Sequence, residues 1–274
     1  MTKISIITIN YNDKIGLSKT VKSVLSQTWQ DFEYIVIDGG SNDGGVEIIE
    51  QYKDKIDYWV SEPDKGVYNA MNKGIKTAKG EYLIFMNSGD VFYDDQVVEK
   101  IESQLTAEFD IYYGDYYRVY SNSTKKRTFP EKLSFSFFYS SSLSHQSSII
   151  RRKLFFDIFL YNEEYKIASD WEFFIYAICY KNVAYKYLNL TISNFDFSGI
   201  SSISKFKSLD IEERKQTIEK YFPLFAEDYI LVSELNSKRF KEIFYIQNFS
   251  KAWKFLKMMI SFTLLFVPKL RNKS

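Results

Sequence analysis

Four polar clusters in the first 90 positions hold the side chains best suited to chemistry. The first is Thr8, Asn10, Tyr11 and Asn12, at the end of the apolar run 4–9. The second is Asp38-Gly39-Gly40-Ser41-Asn42-Asp43-Gly44, after the apolar run 34–37. The third joins Asp64, Lys65 and Gly66 to Tyr68, Asn69 and Asn72, and the fourth is Asn87-Ser88-Gly89-Asp90. Asp38, at a strand end, can accept a hydrogen bond from a nucleobase N–H, whereas Asp43 reads as turn chemistry. Lys65 and the first N–H groups of a helix starting near Val67 can face an anion. Asn69 and Asn72 share roughly one face of that helix. Asp90 can hold Mg²⁺ or Mn²⁺, which take oxygen ligands and usually bind substrate phosphates as well.

Two later positions add to these. His145 is the one histidine of the chain. It stands between a Ser-rich stretch, 134–144, and the strand-like run 146–150, and can be a metal ligand or a substrate contact. Asp170, in Ser169-Asp170-Trp171-Glu172, is placed either to cap a helix or to act as a general base beside an aromatic wall. No Walker A, GxGxxG or Ser/His/Asp arrangement stands out, which disfavours kinases, P-loop ATPases and standard dehydrogenases. The single cysteine, Cys179, excludes an internal disulfide and a Cys-based zinc site. It reads as a buried structural thiol.

Elements that could position these groups follow from the apolar periodicity. Apolar runs at 4–9, 34–37, 58–60 and 82–86 read as strands. They alternate with helical patterns at 15–26, 46–52, 67–77 and 96–105. That alternation predicts parallel βαβ units with right-handed crossovers. Ligands of such sheets bind at the carboxyl ends of the strands, where the polar clusters lie. The next part is less regular. Short strands are expected at 111–113, 116–120, 126–129, 146–150, 184–188 and 192–195, a helix at 170–180, and a mobile loop at 134–144. Helices are expected at 209–221, 229–241 and 249–267. The 274 residues, 45% of them apolar, can build one large domain with an appendage. A net charge of +1 argues against nucleic acid as the main partner. The lone cysteine and the lack of a signal-peptide pattern predict a reducing, cytoplasmic setting.

Taken together, residues 8–12, 37–44, 62–72 and 87–90 resemble the family 2 glycosyltransferases, the inverting group with the GT-A fold. The resemblance is strong to about residue 95 and extends through His145-Gln146 and 168–172. It is greatest toward bacterial surface-polysaccharide members. It implies an α/β fold with a mixed, mostly parallel sheet flanked by helices, and a helical C-terminal appendage. The implied domains are a catalytic domain over 1–205, with a nucleotide-binding half to about 110 and an acceptor half beyond it, and a helical region over 206–274. The implied activity is transfer of a sugar from a nucleotide-sugar donor, UDP-linked on family grounds, to a saccharide or lipid-linked acceptor.

By the same resemblance Asp38 contacts the base, Asp90 binds Mn²⁺ or Mg²⁺, and Asp170 is the catalytic base. Thr8, Asn10, Tyr11, Asn12, Asp64, Lys65, Gly66, Asn69, Asn72, Ser88 and Gly89 line the nucleotide side. Many relatives carry a further carboxylate where this chain has Ser88-Gly89, which makes His145 the candidate second metal ligand. A nucleotide-sugar binding module without turnover is the alternative, with a nucleotidyltransferase behind it.

From 238 to 274 there are nine Lys or Arg and one acid, Glu242. On a helix, Trp253, Leu256, Ile260, Leu264 and Val267 share one face, with Lys251, Lys254 and Lys257 opposite. The apolar stretch 258–267 is too short to span a bilayer, which takes ~20 residues. A basic amphipathic helix over 250–267 can either lie on an anionic membrane surface, on the inner face of the plasma membrane, or pack on the catalytic domain with its lysines toward water.

Overall fold

The computed structural model describes residues 3–120, 122–196, 207–235 and 237–267. Its first half follows the expected alternation: β1 (Ile4–Asn10), α1 (Lys14–Leu25), β2 (Phe32–Asp38), α2 (Gly45–Gln51), β3 (Tyr58–Ser61), α3 (Val67–Thr77) and β4 (Tyr82–Phe85). All seven residues of β1 are buried, because β2 and β4 flank it and helices cover both faces. This explains a mostly apolar run without strict alternation, interrupted only by the small polar Ser5 and Thr8 before Asn10. Leu17, Val21 and Val24 of α1 join Ile4, Ile6, Tyr34, Val36 and Ile84 in the core. On the other face α3 approaches β1 closely. A Cβ on Gly74 would stand 2.5 Å from Ile7 Cγ2, so only glycine lets the two elements meet.

β5 (Val91–Phe92), α4 (Val97–Glu102), β6 (Ile111–Tyr120), β7 (Ser123–Arg127), α5 (Phe135–Ser140), β8 (Ser148–Arg151), α6 (Leu154–Asp157), α7 (Ser169–Ile175) and β9 (Tyr185–Asp196) follow. The strands form one sheet in the order β3-β2-β1-β4-β8-β6-β9-β5, with β7 paired to β6. The β3-β2-β1-β4 portion is parallel. β8 runs antiparallel to both β4 and β6. That reversal brings the start of β8 to the end of β4.

Several boundaries differ from the periodicity. The expected pairs 111–113 with 116–120, and 184–188 with 192–195, are each one strand. The paired β6 and β9 absorb a register shift around Asp115, the mark of a bulge. The Ser-rich stretch is no loose loop. Ser134 Oγ accepts from Phe137 N to cap α5, and Phe138 is fully buried. The helix expected over 170–180 begins as α7 and ends in a π-helical turn, Tyr176–Tyr180. Cys179 sits in that turn, only half-buried, its thiol pushed up to about 12 by burial.

The chain divides into two compact units, Met1–Pro223 and Leu224–Ser274. The expected boundary near 205 falls outside the described residues. Helix α8 (Lys207–Tyr221), assigned from sequence to the appendage, belongs to the first unit. The second unit consists of α9 (Ala226–Leu235), α10 (Lys238–Gln247) and α11 (Ser250–Leu264). The single helix expected over 229–241 breaks before Ser237, which caps α10 by accepting from Phe240 N.

Candidate active site

Strand register builds the first part of the site. Asn10 pairs with Asp38, and Asp38 with Ser61, so three polar residues form a row across the ends of β1, β2 and β3. Asp38 is fully buried. Its carboxylate accepts from Asn10 Nδ2, Ser41 Oγ and Ser61 Oγ, each at 2.6 Å, and from the backbone N–H groups of Ser41 and Gly40. Burial alone would raise its pKa, but these donors, Ser41 foremost, hold it below the usual carboxylate range. Five donors engage both oxygens, so the carboxylate organises this loop. Thr8 is likewise turned into the core, its hydroxyl 3.1 Å from Tyr34 OH. Tyr11 projects outward, 65% exposed. Asn12, at φ 51°, accepts from Asn42 N through Oδ1.

The turn after β4 comes next. Ser88 Oγ donates to Asn10 Oδ1 at 2.7 Å, joining this turn to the strand-end row. Gly89 has φ +94°, a left-handed conformation that favours glycine, and a Cβ there would press on Asp196. Asp90 is 3% exposed and accepts from Asp196 N at 3.1 Å. Burial raises its pKa to about 7, opposed by His145 and this N–H, with the charges of Asp196 and Asp13 adding to the rise. Asp13 and Asp196 carried no sequence signal as site residues. Pairing of β5 with β9 brings Asp196 here, and the start of α1 brings Asp13.

Among the described residues no group of three or more His, Cys, Asp or Glu side chains is arranged to hold a metal ion. Mg²⁺-type sites in nucleotide enzymes need only one or two carboxylates, because substrate phosphates and water complete the shell. A buried Asp90 whose charge is unfavourable on its own, with two further acids nearby, fits that kind of cation.

The reversal at β8 supplies the third part. His145, just before β8, presents Nε2 to Asn87 Nδ2 at 3.1 Å and Nδ1 to Asp170 Oδ2 at 3.0 Å. Both ring nitrogens are engaged by protein side chains, Nε2 on the Asp90 turn and Nδ1 on Asp170. With the ring neutral, Nδ1–H donates to Asp170 and Nε2 accepts from Asn87. With the ring charged, turning the Asn87 amide over would offer it Oδ1, which is buried with no partner as placed. Burial disfavours the charged ring, but the hydrogen bond and charge of Asp170, with Asp90 behind them, raise the pKa overall. Asp170 Oδ1 accepts from Trp171 N at 2.8 Å and lies 3.3 Å from the Tyr68 hydroxyl. The side chain is 15% exposed, so it retains a path to solvent.

Helix α3 holds the segment that leads to Asp170. Asn72 is 2% exposed; its amide donates to Tyr161 O and Glu163 Oε1 and accepts from Tyr161 N. Asn69 donates to Glu163 Oε2 and accepts from Lys65 N. Both amides are thereby hydrogen-bonded within the protein. Asp64 stays beside the strand ends, accepting from Gly66 N at 2.9 Å, its other oxygen near Gly39. Lys65 is exposed next to it, and Gly66 has φ +125°.

Residues 5–164 match the model of glycosyl transferase family 2. The chain belongs to this family. An uncharacterized glycosyltransferase of Mycobacterium tuberculosis is 33% identical over 205 residues, 73% of this chain and 77% of that one. Among solved structures, S. aureus TarS 1–349 in complex with UDP-GlcNAc matches 80% of this chain and 67% of that one, with TM-score 0.63 and 21% identity. The mannosyltransferase PcManGT from Pyrobaculum calidifontis, in complex with GDP-Man and Mn²⁺, matches 96% and 80%, with TM-score 0.62 and 11% identity. This glycosyltransferase spans 42% of the longer TarS chain. Its fold is the GT-A fold, a mixed sheet flanked by helices, with a helical C-terminal region.

Proposed function

We propose that this glycosyltransferase inverts the anomeric centre of a nucleotide sugar, with UDP as carrier, and passes the sugar to a hydroxyl of a saccharide or lipid-linked saccharide in bacterial surface-polysaccharide synthesis. One observation carries the reading. A side-chain chain runs from Asp38 through Asn10 to Ser88, and from neighbouring Asn87 through His145 to Asp170. Residues read separately from the sequence thus belong to one network at the strand ends.

In this reading Asp170 takes the proton of the acceptor hydroxyl. The freed oxygen attacks the anomeric carbon from the face opposite the nucleoside diphosphate. His145 orients the carboxylate and stabilises its charge. On the donor side, exposed Tyr11 offers a face for the base, and Asp64, Lys65 and Gly66 lie by the diphosphate. Asp90 is the carboxylate that would hold Mn²⁺ or Mg²⁺. A bound divalent ion supplies charge neutralisation at the leaving diphosphate. The complexes of TarS with UDP-GlcNAc and of PcManGT with GDP-Man and Mn²⁺ support a nucleotide-sugar donor and a metal.

The test is a thermal-shift screen of UDP- and GDP-sugars with and without Mn²⁺, since a ligand of the folded state raises apparent stability. It is followed by assay of nucleoside diphosphate release with acceptor saccharides. Binding without release would favour the binding-module reading, which the Ser88-Gly89 turn keeps open. Pyrophosphate release would favour a nucleotidyltransferase.

The C-terminal unit fits a membrane-linked acceptor. Among the described residues no helix is long and apolar enough to cross a membrane. On α11 and just beyond, Phe255, Met258, Met259, Ile260, Phe262, Leu264 and Phe266 are all exposed. The lysines of α11 are at 251, 254 and 257. Charge and apolarity are therefore graded along the helix as well as around it, which modifies the expected simple amphipathic face. We read this as a peripheral contact with anionic lipid on the cytoplasmic side: lysines at the headgroups, the 258–267 end in the acyl boundary.

A further inference from the structure

The carboxylate of Glu213, on α8, is buried, at 4% exposure. It accepts three successive backbone N–H groups: Lys166 at 2.7 Å, Ile167 at 3.0 Å and Ala168 at 2.8 Å. These residues lead straight into Ser169 and Asp170. Ala168 is the N-cap residue of α7 and has no side-chain oxygen to cap with. Buried backbone N–H groups need acceptors, and those of 166–168 lie just before the helix. Here a carboxylate from a helix distant in sequence supplies them, and a charged acceptor makes the stronger bonds.

The rest of α8 holds the same region. Arg214 lies over the Trp171 ring at 4.8 Å, and Lys220 is 3.7 Å from Glu172. From the other side, Tyr68 OH donates to Ile167 O at 2.7 Å. The segment before Asp170 is thus gripped between α3 and α8.

We propose that Glu213 is a positioning residue for sugar transfer: by fixing the backbone at 166–168 it aims the Asp170 carboxylate at the acceptor hydroxyl. The proposal rests on Asp170 being the base. A shift of about 1 Å in a reacting group can cost ~10²-fold in rate. Glu213→Gln keeps the length of the side chain but turns an amide NH₂ toward backbone donors.

The experiment takes as donor the UDP- or GDP-sugar giving the largest thermal shift, with water as acceptor, and reads nucleoside diphosphate release. Glu213→Gln is expected to lower kcat about tenfold or more while donor KM changes less than about twofold. The double variant with Asp170→Asn is expected to lose little beyond Asp170→Asn alone, because the two act on one step. A scaffold role alone would lower the active fraction of either background equally, so losses that multiply in full, or an unchanged kcat in Glu213→Gln, would overturn the proposal. If Asp170→Asn turns over like wild type, the base assignment has failed first, and the two failures are thereby told apart. Should Glu213→Gln not fold, amide exchange in the wild-type chain decides: slow exchange at 166–168 is expected, and exchange at the rate of free loops would overturn the clamp.

Discussion

His145 Nδ1 lies 3.0 Å from Asp170 Oδ2, and the opposite edge of the ring lies 3.1 Å from Asn87 Nδ2. A single imidazole therefore joins the turn after β4 to the start of α7. The polarity of β8 makes this possible, because Ile149 and Ile150 pair with Ile84 and Leu83 in antiparallel register. In the Asp170→Asn variant transfer is expected to fall by about 10²–10⁴-fold, the usual worth of a general base. Donor binding, read by thermal shift, should survive. His145→Gln should also slow transfer, by less than Asp170→Asn. Wild-type rates in both variants would remove the pair from the chemistry.

Stability should depend on pH in a defined direction. The pKa of His145 is raised in the folded chain, its burial outweighed by Asp170. Its stabilisation is complete below the unfolded value and is lost as pH rises through the folded one. Asp90, with a folded pKa of about 7, keeps a proton that the unfolded chain releases at lower pH, so it too costs stability as pH rises toward neutrality. Tm is expected to decline between about pH 5 and 8. Asp90→Asn should shallow the decline, and Mn²⁺ should raise Tm at the alkaline end in wild type but not in this variant. A Tm that is flat or rises over the same range would contradict both assignments.

Asp38 is a test of burial against function. Asp38→Ala leaves the hydroxyls of Ser41 and Ser61 and the amide of Asn10 without their acceptor. Unsatisfied buried groups cost about 1–3 kcal/mol each, so urea unfolding should report a loss of at least about 2 kcal/mol. Unchanged stability with a selective loss of nucleotide affinity would favour the base-contact role.

Removal of residues 250–274 should abolish flotation with phosphatidylglycerol vesicles, and wild-type flotation should weaken as salt screens the lysines. Equal flotation with and without the segment would point to a helix that serves the protein alone.

The local pattern of the chain determined much of this protein. Apolar runs ending in polar clusters gave the parallel strands, and α3 spans the expected 67–77. The motifs of the first 95 residues identified the family. Periodicity reports only which residues share a face over a few turns, so it says nothing about partners far along the chain. Tertiary structure alone decided that Asp38 is enclosed by five donors, that β9 carries Asp196 to Asp90, and that Asn69 and Asn72 hold Glu163. It likewise set Glu213 beneath the Asp170 segment. For Asp38 and Glu213 the physical reason is shared: a buried charge is stable only where donors converge on it, and here those donors come from elements separated in sequence. The other two contacts are likewise made between segments far apart in the chain, beyond the reach of local periodicity.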